Sequence, residues 1–188
     1  MYHIRPMTEQ DAEKICSWRY APPYDFYNWP SWGDMQRDRH EFGDSQLRAE
    51  QYAAVCNAES DELVGFAQFF PLAGVTRLGL GMRPDLCGSG QGPAFARAIA
   101  EEALRRRPID EIDLEVHVWN ERARQAYERA GFVVTDTYQK EVAKQSSGSN
   151  TSTSKSDTTA ATMVDDGKVL KKETLPSTNN FYCMVFHA

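Results

Sequence analysis

The chain opens with alternating apolar and polar residues, and residues 2–5 read as a first strand. Thr8 and Asp11 stand three apart, as in a capping box with Asp in place of Glu, and predict a helix running to about Tyr20. Residues 21–34, APPYDFYNWPSWGD, keep no regular period, so a loop or short broken helices are expected there. Apolar runs at 51–56 and 63–71 flank the acidic stretch NAESDE and predict a hairpin, with a further strand at 76–82. A glycine-rich turn at 84–92 precedes a helix over 93–107, whose apolar positions include Phe95, Ile99, Ala103 and Leu104. A buried strand at 112–119, a short helix at 121–130 and strands at 132–142 and 181–186 complete the pattern. Strands and helices mixed in this order predict one α/β (α+β) domain spanning residues 1–188, a single sheet with helices on its faces. Residues at about 144–163 are almost all Ser, Thr, Lys, Gly and Ala, have nothing to bury, and predict a flexible insertion between the last two strands.

Composition changes this picture little. With 41% hydrophobic and 26% charged residues the chain is ordinary for a globular protein. Its net charge of -6 argues against nucleic acid or an anionic membrane as the main partner and mildly favours a cationic or neutral ligand. No run approaches the ~20 apolar residues of a membrane span. The start lacks the basic and apolar regions of a secretory signal, which predicts a cytoplasmic protein. Cys16, Cys56, Cys87 and Cys183 form no CxxC pair and the four histidines are scattered, so reduced thiols and no metal are expected.

The most informative stretch runs from Leu80 to Pro93, where a strand ends, glycines recur at alternate positions and a helix begins with proline in its first turn. Glycines permit positive φ and let successive N–H groups converge on an anion, and the helix adds its N-terminal dipole. A pyrophosphate suits such a turn. The alternative is a turn that needs glycine for steric reasons alone. Walker spacing fails because no Lys follows, and the dinucleotide GxGxxG fails because Pro93 stands at its last position.

The run Met82-x-Pro84-x-x-Cys87-Gly88-x-Gly90-x-Gly92 resembles the phosphate-binding motif of the GNAT superfamily of N-acetyltransferases, departing from it at Cys87, where Arg or Gln is usual. A second segment, Asn120-x-x-Ala123-x-x-x-Tyr127-x-x-x-Gly131-Phe132, is similar to the same family's later signature. Physically, Asn120 suits a helix N-cap, Tyr127 lies two turns on along the same face, and Gly131 suits a C-terminal stop. The resemblance covers residues 2–142 and the last strand but not the Ser/Thr-rich insertion.

That resemblance implies a mostly antiparallel sheet with a splayed central strand pair, acetyl-CoA as co-substrate, and direct attack of a primary amine on the thioester. It implies that the N–H of Leu80 faces the thioester oxygen, that Met82 meets the pantetheine arm, and that Gly81 between them marks a bulge. The amides of Cys87, Gly88, Ser89, Gly90, Gln91 and Gly92 would hold the pyrophosphate, and Asn120 and Tyr127 would touch the coenzyme. Tyr127 is the expected acid, since a phenol near pKa ~10 is matched to a thiol near ~8.5. Glu115 matches the carboxylate of an L-E-V-x-x-x-N pattern and is the expected base; its alternative is a solvated or ion-paired strand carboxylate. His117, on the same strand face, is a second candidate, and deprotonation through water stays open. Tyr24, Tyr27 and Trp29 could wall an amine pocket or simply cover one end of the core. The implied acceptor is a small-molecule or peptide amine, a homodimer is left open, and the competing function is a non-catalytic acyl-CoA-binding module.

Overall fold

The computed structural model describes residues 1–140 and 180–188, so the expected Ser/Thr-rich insertion lies outside the described residues. The strands are β1 (Tyr2–Pro6), β2 (Tyr52–Asn57), β3 (Leu63–Leu72), β4 (Val75–Met82), β5 (Glu111–His117), β6 (Phe132–Gln139) and β7 (Asn180–Phe186). They form one sheet in the order β1-β2-β3-β4-β5-β7-β6. β4 and β5 pair in parallel and the other neighbours are antiparallel. Parallel neighbours need a crossover, which the helix α4 (Gly92–Arg106) supplies.

Two apolar layers hold this sheet. On one face, Phe95, Ala96, Ile99, Ala100 and Ala103 of α4 and Ala130 of α5 (Glu121–Ala130) pack over Leu78, Leu114, Phe132 and Met184. On the other, α1 (Glu9–Ser17) brings Ala12 and Ile15, α2 (Trp32–Arg37) brings Met35 and α3 (Ser45–Gln51) brings Leu47 against Ala54, Cys56 and Phe66. Helices therefore cover both faces.

The capping box of α1 forms as its spacing predicts: the Asp11 N–H donates to Thr8 Oγ1 and the Thr8 N–H to the Asp11 carboxylate. The helix stops at Ser17, short of Tyr20, because Trp18 turns extended and Arg19 reaches back to the Cys16 carbonyl at 2.7 Å. The expected broken loop contains a 3-10 turn at Tyr24–Tyr27 and then α2, whose N-cap is Ser31. α3 escaped the sequence pattern; Asp44 caps it, accepting from the N–H groups of Gln46 and Leu47.

Candidate active site

The sheet opens at its middle. The β4–β5 ladder runs from Val75↔Glu111 to Leu78↔Leu114 and stops, although β4 continues to Met82 and β5 to His117. The Arg83 N–H donates to the Val64 carbonyl at 2.9 Å, so by the two-residue period of a strand Gly81 and Gly79 also turn their main chain toward β3. Leu80 and Met82 consequently direct theirs into the gap beside β5. The β3–β4 register is unbroken from Leu72↔Val75 to Gly65↔Met82, so the bulge expected at Gly81 is not present in this pairing. Glycine is required there for another reason: a Cβ would lie 2.3 Å from Cε1 of Phe66.

At the end of β4 the chain passes through a 3-10 turn, Pro84–Leu86, into the glycine turn. Gly88 and Gly90 both have φ +83°, the left-handed region, and a Cβ on either would meet nothing within 4 Å. Neighbouring atoms therefore do not impose glycine; the backbone conformation does. Gly92 differs, since its Cβ would lie 3.1 Å from that of Ala126, and its absence lets α4 and α5 approach closely. Ser89 Oγ donates to the Leu86 carbonyl, and Gln91 joins Ser89 Oγ at 3.1 Å to the Tyr2 hydroxyl at 3.0 Å, which fixes the turn without using the first amides of α4. Cys87, at the position where the motif departs, turns its thiol inward, 3.6 Å from the Met82 and Arg83 carbonyls, and burial pushes its pKa up.

On the far side of the gap, Asn120 caps α5 as its position predicts, accepting from the Ala123 N–H at 3.2 Å. Its Nδ2 donates to the Tyr27 hydroxyl at 3.1 Å. Gly131 ends the helix at φ +109°. Tyr127 leans on Phe132, and its hydroxyl is deep enough for burial to push its pKa well up, reinforced by Tyr27 and Cys87 nearby. The phenol thus stays protonated at working pH. It is a weaker acid than the ordinary value implies, better suited to donating a hydrogen bond to a thiolate than to losing its proton outright.

The face of β5 opposite Leu114 carries Glu115, whose carboxylate bonds Arg77 and, at 2.6 Å, Lys140. Arg77 also forks onto Asp113 at 2.6 and 3.0 Å. Burial alone would raise the Glu115 carboxyl; hydrogen bonding from Lys140 and the charges of Arg77 and Lys140 outweigh it, and its pKa is lowered. This arrangement is the ion-paired alternative for Glu115, and it makes the expected base a poor proton acceptor. His117 is enclosed by rings, stacked on Trp119 at 5.5 Å and edge-on to Phe26 at 5.3 Å.

The aromatic loop divides. Tyr24 stacks toward Trp119 at 5.8 Å under the Arg122 guanidinium at 3.8 Å, and Tyr27 holds Asn120, so both stand beside the gap. Burial pushes the Tyr27 phenol up to about 12. Trp29 instead packs on Phe42 at 4.9 Å and Phe66 at 6.0 Å, closing the second core. Sequence reasoning missed Tyr20, whose hydroxyl donates to the Met82 carbonyl at 2.8 Å across the mouth of the gap. No local motif marks it, because the two residues meet only in the fold.

A family model described as an acetyltransferase (GNAT) domain matches residues 2–133. Among solved structures, spermidine N-acetyltransferase from Vibrio cholerae in complex with CoA and spermine superposes with a TM-score of 0.65 at 14% identity, over 98% of this chain and 94% of that one. An aminoglycoside acetyltransferase in complex with coenzyme A and kanamycin gives 0.59 at 21% identity, over 74% and 88%. At these identities the likeness shows a shared fold.

Proposed function

This chain belongs to the GNAT acetyltransferase family, and from that premise we propose that it carries the acetyl group of acetyl-CoA to a primary amine in the gap between β4 and β5. The observation that carries the reading is convergence. One strand directs the main chain of Leu80 and Met82 into a gap and ends in a glycine turn with positive φ at Gly88 and Gly90, and Leu80, Met82 and Tyr127 of α5 pack against the same core.

The residues present fit the coenzyme. Gly88 and Gly90 hold left-handed backbone, and the first amides of α4 follow at once, so a pyrophosphate can be met by N–H groups and a helix dipole. Met82 would pair with the pantetheine arm as strand pairs with strand. Acetyl-CoA supplies a thioester, an acyl group on a good leaving group. The Leu80 N–H would receive the thioester oxygen as it gains negative charge. The amine nitrogen forms the new C–N bond, the C–S bond breaks, and the thiolate accepts a hydrogen bond from Tyr127. Because Glu115 is held as an ion-paired anion, the amine's proton leaves through water. Tyr24 and Tyr27 flank the amine's entrance, whereas Trp29 supports it from within the core.

The acceptor is proposed to be a small cationic amine: the two solved relatives are bound to spermine and to kanamycin, and this chain's net charge of -6 favours cations. The four free cysteines support the reducing cytoplasm as its compartment. Purified protein, acetyl-CoA and a panel of primary amines, read by release of free thiol, test the reading. Coenzyme binding by calorimetry without thiol release from any amine would leave a binding module instead.

A further inference from the structure

We propose that Glu41 binds the ammonium group of the acceptor; this rests on the acetyl-transfer reading and names a specificity residue within it. Glu41 opens a 3-10 turn, Glu41–Gly43, with φ +47°, a left-handed conformation unusual for a residue with a side chain. Such strain persists where packing over-determines the backbone. Here Phe42 is fully buried, and Gly43 sits so close to α2 that a Cβ would lie 2.1 Å from the Met35 carbonyl oxygen.

The turn brings the carboxylate onto β2 and β3, on the face of the sheet that α1, α2 and α3 cover. The Tyr52 hydroxyl donates to it, and Gln68 Nε2 reaches it at 3.5 Å, the long limit of a hydrogen bond, while favouring Gln51 at 3.1 Å. Gln68 lies directly across from Gly79, its Oε1 3.1 Å from where a Cβ would be. The next residue is Leu80, whose N–H points into the gap. Glu41 is therefore linked through Gln68 to Gly79, the strand position that adjoins the proposed thioester donor.

Charge separates Glu41 from its neighbours. Asp113 and Glu115 on the same face are neutralised by Arg77 and Lys140. Among the described residues Glu41 has no Lys, Arg or His within ion-pair distance, only neutral donors. A carboxylate offers about four lone-pair sites, so beside its bonds to Tyr52 and Gln68 the half-exposed Glu41 keeps sites for a further donor and carries no counter-charge among the described residues. Burial and the adjacent Glu41 both push the Tyr52 phenol up. A primary ammonium, three N–H donors and one positive charge, fits that deficit.

Steady-state kinetics of the full chain with acetyl-CoA and n-butylamine, 1,4-diaminobutane or kanamycin test this. E41Q should raise the amine KM about tenfold or more, the size expected for losing a charge-assisted bond, and leave the acetyl-CoA KM within about twofold. Glu41→Asp, which keeps the charge, should recover part of that loss, as a purely structural residue would not. Added salt should raise the amine KM of the wild type and leave that of E41Q flat. An amine KM unchanged in E41Q, or no salt effect in the wild type should E41Q fail to fold, overturns the proposal. If no amine is acetylated, the acetyl-transfer reading fails. Calorimetry of 1,4-diaminobutane with CoA-loaded protein then decides separately: binding weakened in E41Q supports Glu41, and equal or absent binding in both overturns it.

Discussion

Glu115→Gln separates a catalytic carboxylate from a structural one. The Glu115 side chain is 13% exposed, that of Lys140 37% and that of Arg77 34%. Breaking a buried ion pair costs about 3–5 kcal/mol, while an exposed pair contributes about 0.2–1 kcal/mol. Glu115 falls between these limits: Lys140 can swing to water, and Arg77 keeps its fork on Asp113. The expected loss is about 1–2 kcal/mol, which for a chain of this size lowers Tm by roughly 2–8 °C. The pH dependence has a definite sign. The folded carboxyl lies below its ordinary value of 4.5, so its contribution is fully present above that pH and disappears as pH falls through the folded value. The Tm gap between wild type and variant should therefore stay constant from about pH 6 to 8 and close in acid. Calorimetric melts across pH measure it, with thiol release giving kcat. A general base is worth about 10²–10⁴-fold, so a kcat within about threefold of wild type is expected here. A hundredfold fall in kcat at unchanged Tm would refute the reasoning and restore Glu115 as the base.

Tyr127→Phe should lower kcat by about 10²-fold or more while coenzyme affinity by calorimetry changes only a few-fold; because burial holds the phenol protonated, the deficit should be the same from about pH 6 to 9. Gly90→Ala should cost about 1–2 kcal/mol in urea unfolding by forcing a side chain to φ +83°, and Gly90→Glu should in addition remove measurable coenzyme A binding. Asn120→Ala loses a helix cap and the bond to Tyr27, about 2 kcal/mol together, whereas Asn120→Asp keeps an oxygen for the Ala123 N–H and should melt close to wild type.

Much of the local structure in the stretches that resemble the family's coenzyme motifs was legible because its causes are local. Positive φ at Gly88 and Gly90, the Asn120 cap and the Gly131 stop each depend on a few adjacent residues, and their spacing survives in the sequence. The splayed strand pair came only through the family resemblance, since alternation says which way a side chain faces but not where a ladder stops. Residues 35–50 resisted reading for another reason. α2 and α3 are too short to display a period, and they form because Ser31 and Asp44 cap them while Met35, Phe42 and Leu47 find a core.

The contacts around the gap were decided by the fold. Tyr20 meets Met82 from 62 positions away, Asn120 meets Tyr27 from 93, and Arg77 meets Glu115 from 38. The chain by itself determined that a glycine turn precedes a capped helix bearing a tyrosine, since glycine conformation and helix capping act over one or two turns. Which carboxylate is neutralised, and which lacks a counter-charge among the described residues, was left to the tertiary structure, because a side chain's charge balance depends on neighbours that only the assembled sheet brings within reach.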